Sequence, residues 1–321
     1  MSVVCTGSIA FDYLMSFPGH FREHILSDHL DTISLSFLVD EMVRQPGGTA
    51  TNIAYNLALL GEHPRLMATA GVDFEEYRRW LESKAVDTSL VKIIPDKFTA
   101  SFFVNTDLDN NQIATFYAGA MAHACELSLH DLKAGLPDLL IISANDPGAM
   151  RCYARECKEL GVPYLYDPSQ QIVRICADEL REGVEGAYAL FVNEYEFELL
   201  QKHTGLKPEE ILSKVGFMVV TLGEDGADIY AEGKKYHVPV VPPTQIAEPT
   251  GVGDAFRGGF VRGLRLGLGW ETCGKMGALS ATYCLEQKGT QNHTYTIAEY
   301  IARYRQHFDD QGALDVLLKN S

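Results

Sequence analysis

The chain has 321 residues, enough for one large α/β domain with an appendage or for two ordinary domains. Its 46% hydrophobic and 22% charged content is that of a water-soluble globular protein, and no apolar run approaches the roughly 18 residues that span a bilayer. A formal net charge of -16 leaves no broad cationic surface, which excludes a nucleic-acid partner and an anionic membrane but not a small anionic ligand in a local pocket.

Seven cysteines are scattered without a C-x-x-C pair, so neither a zinc ribbon nor a disulfide framework is indicated and a reducing cytoplasm is expected. The start of the chain lacks a basic n-region and a cleavage pattern, so no signal peptide is expected. There is no internal repeat.

In chain order, residues 3–5 followed by Gly7 read as a short buried strand ending in a turn, with Asp12 just beyond. Ligands of doubly wound sheets gather at the carboxyl ends of strands, so Asp12 is either a turn cap or a ligand-facing acid. Residues 13 to about 45 do not read as a βα unit; loose alternation of Phe17, Leu35, Phe37 and Val39 predicts extended structure over a cleft. His20, His24 and His29 with Glu23 and Asp28 invite a zinc reading. No H-E-x-x-H occurs, and Gly19 and Ser27 disfavour a long helix, so no metal is expected there.

Residues 45–61, QPGGTATNIAYNLALLG, predict a Gly47–Gly48 turn and a buried helix capped by Thr49 or Thr51, ending at Gly61. Strand is expected over 66–70 and an amphipathic helix over 75–84. Residues 99–105 and 112–117 predict a hairpin turning through LDNN. Its Phe102, Val104, Ile113 and Phe116 suit a cover for a flat ligand, mutual burial, or a second subunit. From residue 121 strands (139–143, 164–166, 189–192, 218–222) alternate with helices (near 148–160, 171–182, 194–204, 208–214), which is the pattern of a parallel sheet covered on both faces. Asp167 and Asn193 fall just past strand ends.

Asn193 and Glu196, in NEYE, sit where a helix begins; Asn193 suits a cap. TLGEDGADIY predicts strand, turn and strand, with Gly223 and Gly226 allowing positive φ and Thr221 at the strand end. Lys234, Lys235 and His237 read as surface residues.

Residues 247–264, AEPTGVGDAFRGGFVRGL, organise the rest. Gly251 and Gly253 make a bare turn into a helix on which Phe256, Phe260, Val261 and Leu264 share a face, while Gly258, Gly259 and Gly263 allow close packing. The leading amides of such a helix suit an anion, and Asp254 beside them is either an N-cap or a base. Helices are predicted over 275–287 and 297–308, and the last dozen residues carry no signal.

Taken together, these strings resemble the ribokinase (PfkB) family of carbohydrate and nucleoside kinases. PTGVGDAF is similar to its C-terminal D-T-x-G-A-G-D signature, with Glu248 for the leading Asp and Val252 for the Ala. G-G-x-x-x-N-x-A matches at Gly47, Gly48, Asn52 and Ala54; GSIAFD, NEYE and T-x-G-x-x-G match the inner motifs, and the resemblance spans roughly residues 3 to 295. It implies a ribokinase-like fold: a doubly wound, mainly parallel sheet with helices on both faces and a small β lid. Residues 1–12, 45–94 and 121–321 would form the core, with 13–44 and 95–120 as the lid.

It further implies ATP as donor with Mg²⁺, and Asp254 as general base with an anion hole of Gly251, Val252 and Gly253. Asp12, Gly47, Gly48 and Asn52 would bind the acceptor; Asn193, Glu196, Thr221, Gly223 and Gly226 would face the nucleotide. Glu196 would hold Mg²⁺ through water, and Gly289 to His293 would close the nucleotide side. The aromatic lid and the long insert between Asp12 and Gly47 favour the nucleoside (adenosine) kinase branch over a ribose or fructose kinase, with a catalytically silent nucleoside-binding relative as the other alternative. A homodimer through the lid remains open. No P-loop, no protein-kinase H-R-D or D-F-G and no G-x-S-x-G elbow occurs, and Phe256 breaks the Rossmann fingerprint after Gly251.

Overall fold

A computed structural model describes residues 2–24, 34–133 and 135–319. Its main sheet has eight strands in the order Lys234–Val238, Ala227–Ala231, Phe217–Thr221, Ala189–Asn193, Tyr164–Tyr166, Leu139–Ile142, Val3–Thr6, Arg65–Leu66. The six strands from Phe217–Thr221 to Arg65–Leu66 run parallel; the first two are antiparallel. Successive side chains point to opposite faces and feed two separate cores. Val3, Cys5, Leu139, Ile141 and Leu165 pack with the helices Thr49–Leu59 and Val252–Arg265. Val4, Leu140, Ile142, Tyr164 and Tyr166 pack with Pro147–Leu160 and Ala177–Val184 on the other face. Strands buried on both faces explain the unbroken apolar runs in the sequence.

A second, four-stranded sheet pairs Glu41–Gly47, Ala10–Ser16, Ala100–Thr106 and Gln112–Tyr117 in that order. Ala10–Ser16 continues almost directly from the first strand of the main sheet, and Glu41–Gly47 runs straight into the helix Thr49–Leu59. The second sheet is therefore anchored at both Asp12 and Gly48.

The expected strand over 66–70 splits: Arg65–Leu66 joins the main sheet and Thr69–Ala70 pairs with Lys92–Ile93. Residues 171–182 form a short 3₁₀ turn, Ser169–Val173, and a helix, Ala177–Val184. The helix expected over 275–287 starts earlier, at Trp270. Neither Thr49 nor Thr51 caps the first long helix; Gly48 is the N-cap, and Thr51 Oγ1 donates to the Gly47 and Gly48 carbonyls. The C-terminal residues, silent in sequence, include Ala313–Lys319, whose Leu314 and Leu317 are buried against Tyr300 and Tyr304. No helix of the described residues is long and apolar enough to cross a membrane.

Of the histidine group, His29 and Asp28 lie outside the described residues. His20 Nδ1 lies 2.9 Å from Asp109 and close to the buried Asp107, whose carboxylate accepts backbone N–H bonds from Phe21, Asp109 and Asn111. These are loop-ordering contacts. Lys235 and His237 pair with Asp228 on the outer hairpin.

Candidate active site

The helix Val252–Arg265 starts where the carboxyl ends of the parallel strands meet the second sheet. Gly251, its N-cap, has φ 77°, and a Cβ there would lie 2.8 Å from Thr290 Cγ2, so only glycine fits the turn. Asp254 is the third helical residue and makes no cap bond. Its Oδ2 instead accepts from Asn52 Nδ2 at 2.8 Å, across 202 residues of sequence. The capping alternative fails because the side chain is turned away from its own helix amides toward the neighbouring helix.

A hydrogen-bond chain fixes that arrangement. Tyr77 OH donates to the Gly47 carbonyl (3.1 Å), Gln291 Nε2 donates to Tyr77 OH and to Asn52 Oδ1 (2.7 Å each), and Asn52 is left with its amide N–H groups toward Asp254. Asn52 must then donate, and Asp254 accepts.

On its other side Asp254 faces Arg257, one turn along the same helix, with Nη1 3.9 Å from Asp254 Oδ1. Arg257 is buried and held by Asp167, which is fully buried at the end of strand Tyr164–Tyr166. Nη2 donates to Asp167 Oδ1 at 2.7 Å; Nε to Oδ2, 2.6 Å, is an ion contact rather than an aligned hydrogen bond. Burial pushes the Asp254 carboxyl up to about 7, with Arg257 and Asn52 pulling down and Asp167 and Glu196 pushing up. Asp12 is raised to about 6, first by burial and then by the charge of Glu248.

Asp12, Gly48, Asn52, Asn193, Glu196, Thr221, Gly251, Gly253 and Asp254 all line one cavity of about 430 Å³. Phe102 and Phe116 of the second sheet and Ser169, Gln170 and Arg257 of the main core also form part of its wall. Gly47 does not line it. A Cβ at Gly47 would lie 2.6 Å from Asp12 Oδ2, so the glycine makes room for that carboxylate. Asn193 and Glu196 form a reciprocal capping box, Glu196 N–H to Asn193 Oδ1 and Asn193 N–H to Glu196 Oε2, which fixes one Glu196 oxygen at the cavity edge.

A second cavity, about 460 Å³ and mostly apolar, lies on the far side of the Gly-rich turn. Gly223, Gly226, Val240, Ile246, Ala281 and Leu285 line it, and it shares Thr221 and Gly253 with the first. Val252 belongs here. Its side chain lines the apolar cavity and its N–H reaches back to the Pro249 carbonyl (3.4 Å), so of the expected anion hole the amides of Gly251 and Gly253 are left without a backbone acceptor, as is that of Asp254 beside them. The GTQNH string reaches the first cavity. Thr290 lines it, Gln291 donates to Asn52 Oδ1, and the Gly289 N–H is accepted by Glu248 Oε2.

Sequence reasoning missed Arg257 and Tyr77 as parts of the site and gave Gln291 no role behind Asn52. Arg257 was visible only as the residue one turn after Asp254; nothing in the linear pattern links Gln291 to Asn52.

The site can be tested for its expected ligands. Among the described residues no three His, Cys, Asp or Glu side chains converge at the cavity, which suits a hydrated Mg²⁺ touched by a single carboxylate such as Glu196 rather than a dedicated cage. Bare helix-start amides next to an apolar recess suit a phosphate chain ending in a flat base.

Comparison with known proteins agrees with the geometry. The pfkB family carbohydrate kinase profile matches residues 7–297. The nucleoside kinase of Methanocaldococcus jannaschii is 28% identical, covering 95% of this chain and 97% of its own length. The nucleoside kinase of Burkholderia thailandensis in complex with inosine superposes with a TM-score of 0.86 at 35% identity, covering 96% of this chain and 99% of that one. The same kinase in complex with ADP-inosine gives a TM-score of 0.83 at 37% identity, covering 96% of each chain. This chain therefore belongs to the pfkB family of carbohydrate kinases, phosphotransferases whose acceptor is a hydroxyl group.

Proposed function

We propose that this protein is an ATP-dependent kinase that phosphorylates the hydroxymethyl group of a nucleoside, adenosine- or inosine-like, in a reducing cytoplasm. The observation that carries the reading is that Asp12 and Asp254 open into one cavity which meets an apolar recess at Gly253. An acceptor held in the first cavity and a donor base in the second would meet at the amides of Gly253 and Asp254. Phe102 and Phe116 at the acceptor end favour a nucleoside over a small sugar, since an aromatic wall gains by covering a base.

In this reading Asp12 accepts hydrogen bonds from sugar hydroxyls, and Gly48 and Asn52 hold the opposite side, so the attacking oxygen is aligned. Asp254 takes the hydroxymethyl proton as the new O–P bond forms, a contribution of about 10²–10⁴ in rate. The amides of Gly253 and Asp254 stabilise charge on the transferred group, and the electron pair of the broken bond leaves on the diphosphate product. Thr221, Gly223 and Gly226 border the donor; Glu196, with Asn193 behind it, would hold a hydrated Mg²⁺, which would supply charge neutralisation on the phosphates.

The second sheet, from the described residues of segments 13–44 and 95–120, acts as the lid on a core formed by the described residues of 1–12, 45–94 and 121–321, and its closure excludes water as a competing acceptor. Its exposed Met42, Phe103 and Ile113, on one face of the sheet, suit a homodimer formed lid to lid, which sedimentation equilibrium tests.

A coupled ADP-release assay on a panel of nucleosides and free sugars decides the acceptor. Turnover with nucleosides is expected. Turnover with free ribose or fructose alone would make this a sugar kinase, and binding without ADP release a silent relative.

A further inference from the structure

Three carboxylates line the acceptor cavity, those of Asp12, Glu196 and Asp254, and the chain as a whole carries a formal charge of -16. A polyphosphate must approach its acceptor through that field. Among the described residues lining either cavity, Arg257 is the one cationic side chain.

Its surroundings leave one end of the guanidinium uncommitted. Nε and Nη2 face Asp167, whose Oδ1 is also held by Ser169 Oγ at 2.6 Å. Nη1 has no hydrogen-bond acceptor among the described residues; the carboxylate closest to it is Asp254 Oδ1 at 3.9 Å, too far for a bond. Nη1 also lies directly beneath the Gly-rich turn. A Cβ placed on Gly253 would come within 2.7 Å of it, so the absence of a side chain at 253 is what allows the guanidinium to stand beside the anion-binding amides.

Resting on the kinase reading above, we propose that Arg257 is a further catalytic residue: Nη1 donates to an oxygen of the phosphoryl group in flight, while Asp167 fixes the rest of the guanidinium. The chain thus supplies from its own helix the cation that other phosphotransferases bring from a loop or a partner, and Asp167 acts as the positioning residue behind it. Nothing about the bond changes is altered. The acceptor oxygen bonds to phosphorus, its proton passes to Asp254, and the bridging oxygen departs with its electron pair, while Arg257 offsets charge without exchanging a proton.

The test compares Arg257→Met and Arg257→Lys with the unmodified protein in two measurements. The first is titration calorimetry of a non-hydrolysable ATP analogue against ADP, each with Mg²⁺; the second is kcat for the preferred nucleoside. Loss of a charge-assisted hydrogen bond to the terminal phosphoryl should cut the preference for the analogue over ADP about tenfold in both variants. The same loss should lower kcat on the order of 10²-fold or more, with the nucleoside KM little changed. Arg257→Lys keeps a charge opposite Asp167, so it stays folded even if Arg257→Met does not, but its single ammonium does not also reach the phosphoryl. A folded Arg257→Lys protein with unaltered analogue preference and kcat overturns the proposal. An unmodified protein that turns over no acceptor at all refutes the kinase reading, whereas the analogue-to-ADP comparison still reports on Arg257.

Discussion

The protonation of Asp254 gives the sharpest test of the site. Burial pushes its carboxyl up to about 7, and a general base works only when deprotonated. In the free enzyme kcat/KM should therefore climb with pH and level off above about 7. Asn52 donates to this carboxylate at 2.8 Å and favours its charged form. Replacing Asn52 with Leu removes that bond. Hydrogen bonds to charged groups contribute about 1.5–3 kcal/mol, and one pKa unit corresponds to about 1.4 kcal/mol. The acid limb should thus move upward by about 1–2 pH units. Asn52 also faces the acceptor, so the plateau will fall as well, but the height of a profile and the position of its limb are separate readings. ADP release at low nucleoside concentration, followed across roughly pH 5 to 10, measures both. An acid limb near the ordinary carboxylate range in the unmodified protein, or one that stays in place in Asn52→Leu, would falsify the assignment of Asp254 as the base.

Asp254→Asn should abolish turnover while ADP affinity, measured by calorimetry, stays within a few-fold. The same change should stabilise the ligand-free protein. A folded-state pKa raised from 3.8 to about 7 means the charge opposes folding increasingly as pH rises through that interval. The gain is at most a few kcal/mol at pH 8 and vanishes below about pH 4, which thermal melts at the two pH values check; an equal Tm shift at both would refute it. Gly47→Ala puts a methyl group 2.6 Å from Asp12 Oδ2, so the carboxylate must shift and the nucleoside KM should rise about tenfold, with ADP affinity unchanged. Ala281→Trp fills the apolar recess and should raise the ATP KM at least tenfold, on the order of a lost base-sized contact area, while nucleoside affinity measured without ATP is retained. Equal damage to both ligands in either variant would mean that the two cavities do not divide the substrates as stated.

Much of the site was readable because it is built from local devices. Gly251 needs φ 77°, and its sequence context showed a bare turn leading into a helix. The helix contacts promised by Gly258 and Gly259 are real: Cβ atoms there would lie 2.5 Å from Asn56 Cβ and from Ser280 Oγ. Asn193 was recognised as a cap from its position, and it is one. Other readings failed where tertiary contact outcompeted local preference. Asp254 had the position and chemistry of an N-cap, yet it bonds to another helix. Thr49, expected to cap, is spent on Ser143 Oγ and the Ala144 carbonyl at the neighbouring strand end.

By itself the sequence determined the alternation of strands and helices, the glycine turns and the order of acids at strand ends, because each depends on residues a few positions apart. Only the tertiary structure decided which acid is desolvated and what answers it. Asn52 meets Asp254 across 202 residues and Arg257 meets Asp167 across 90. The apolar recess is likewise gathered from separate strands, loops and helices. Desolvation and ion pairing arise between elements, so no spacing within one element encodes them.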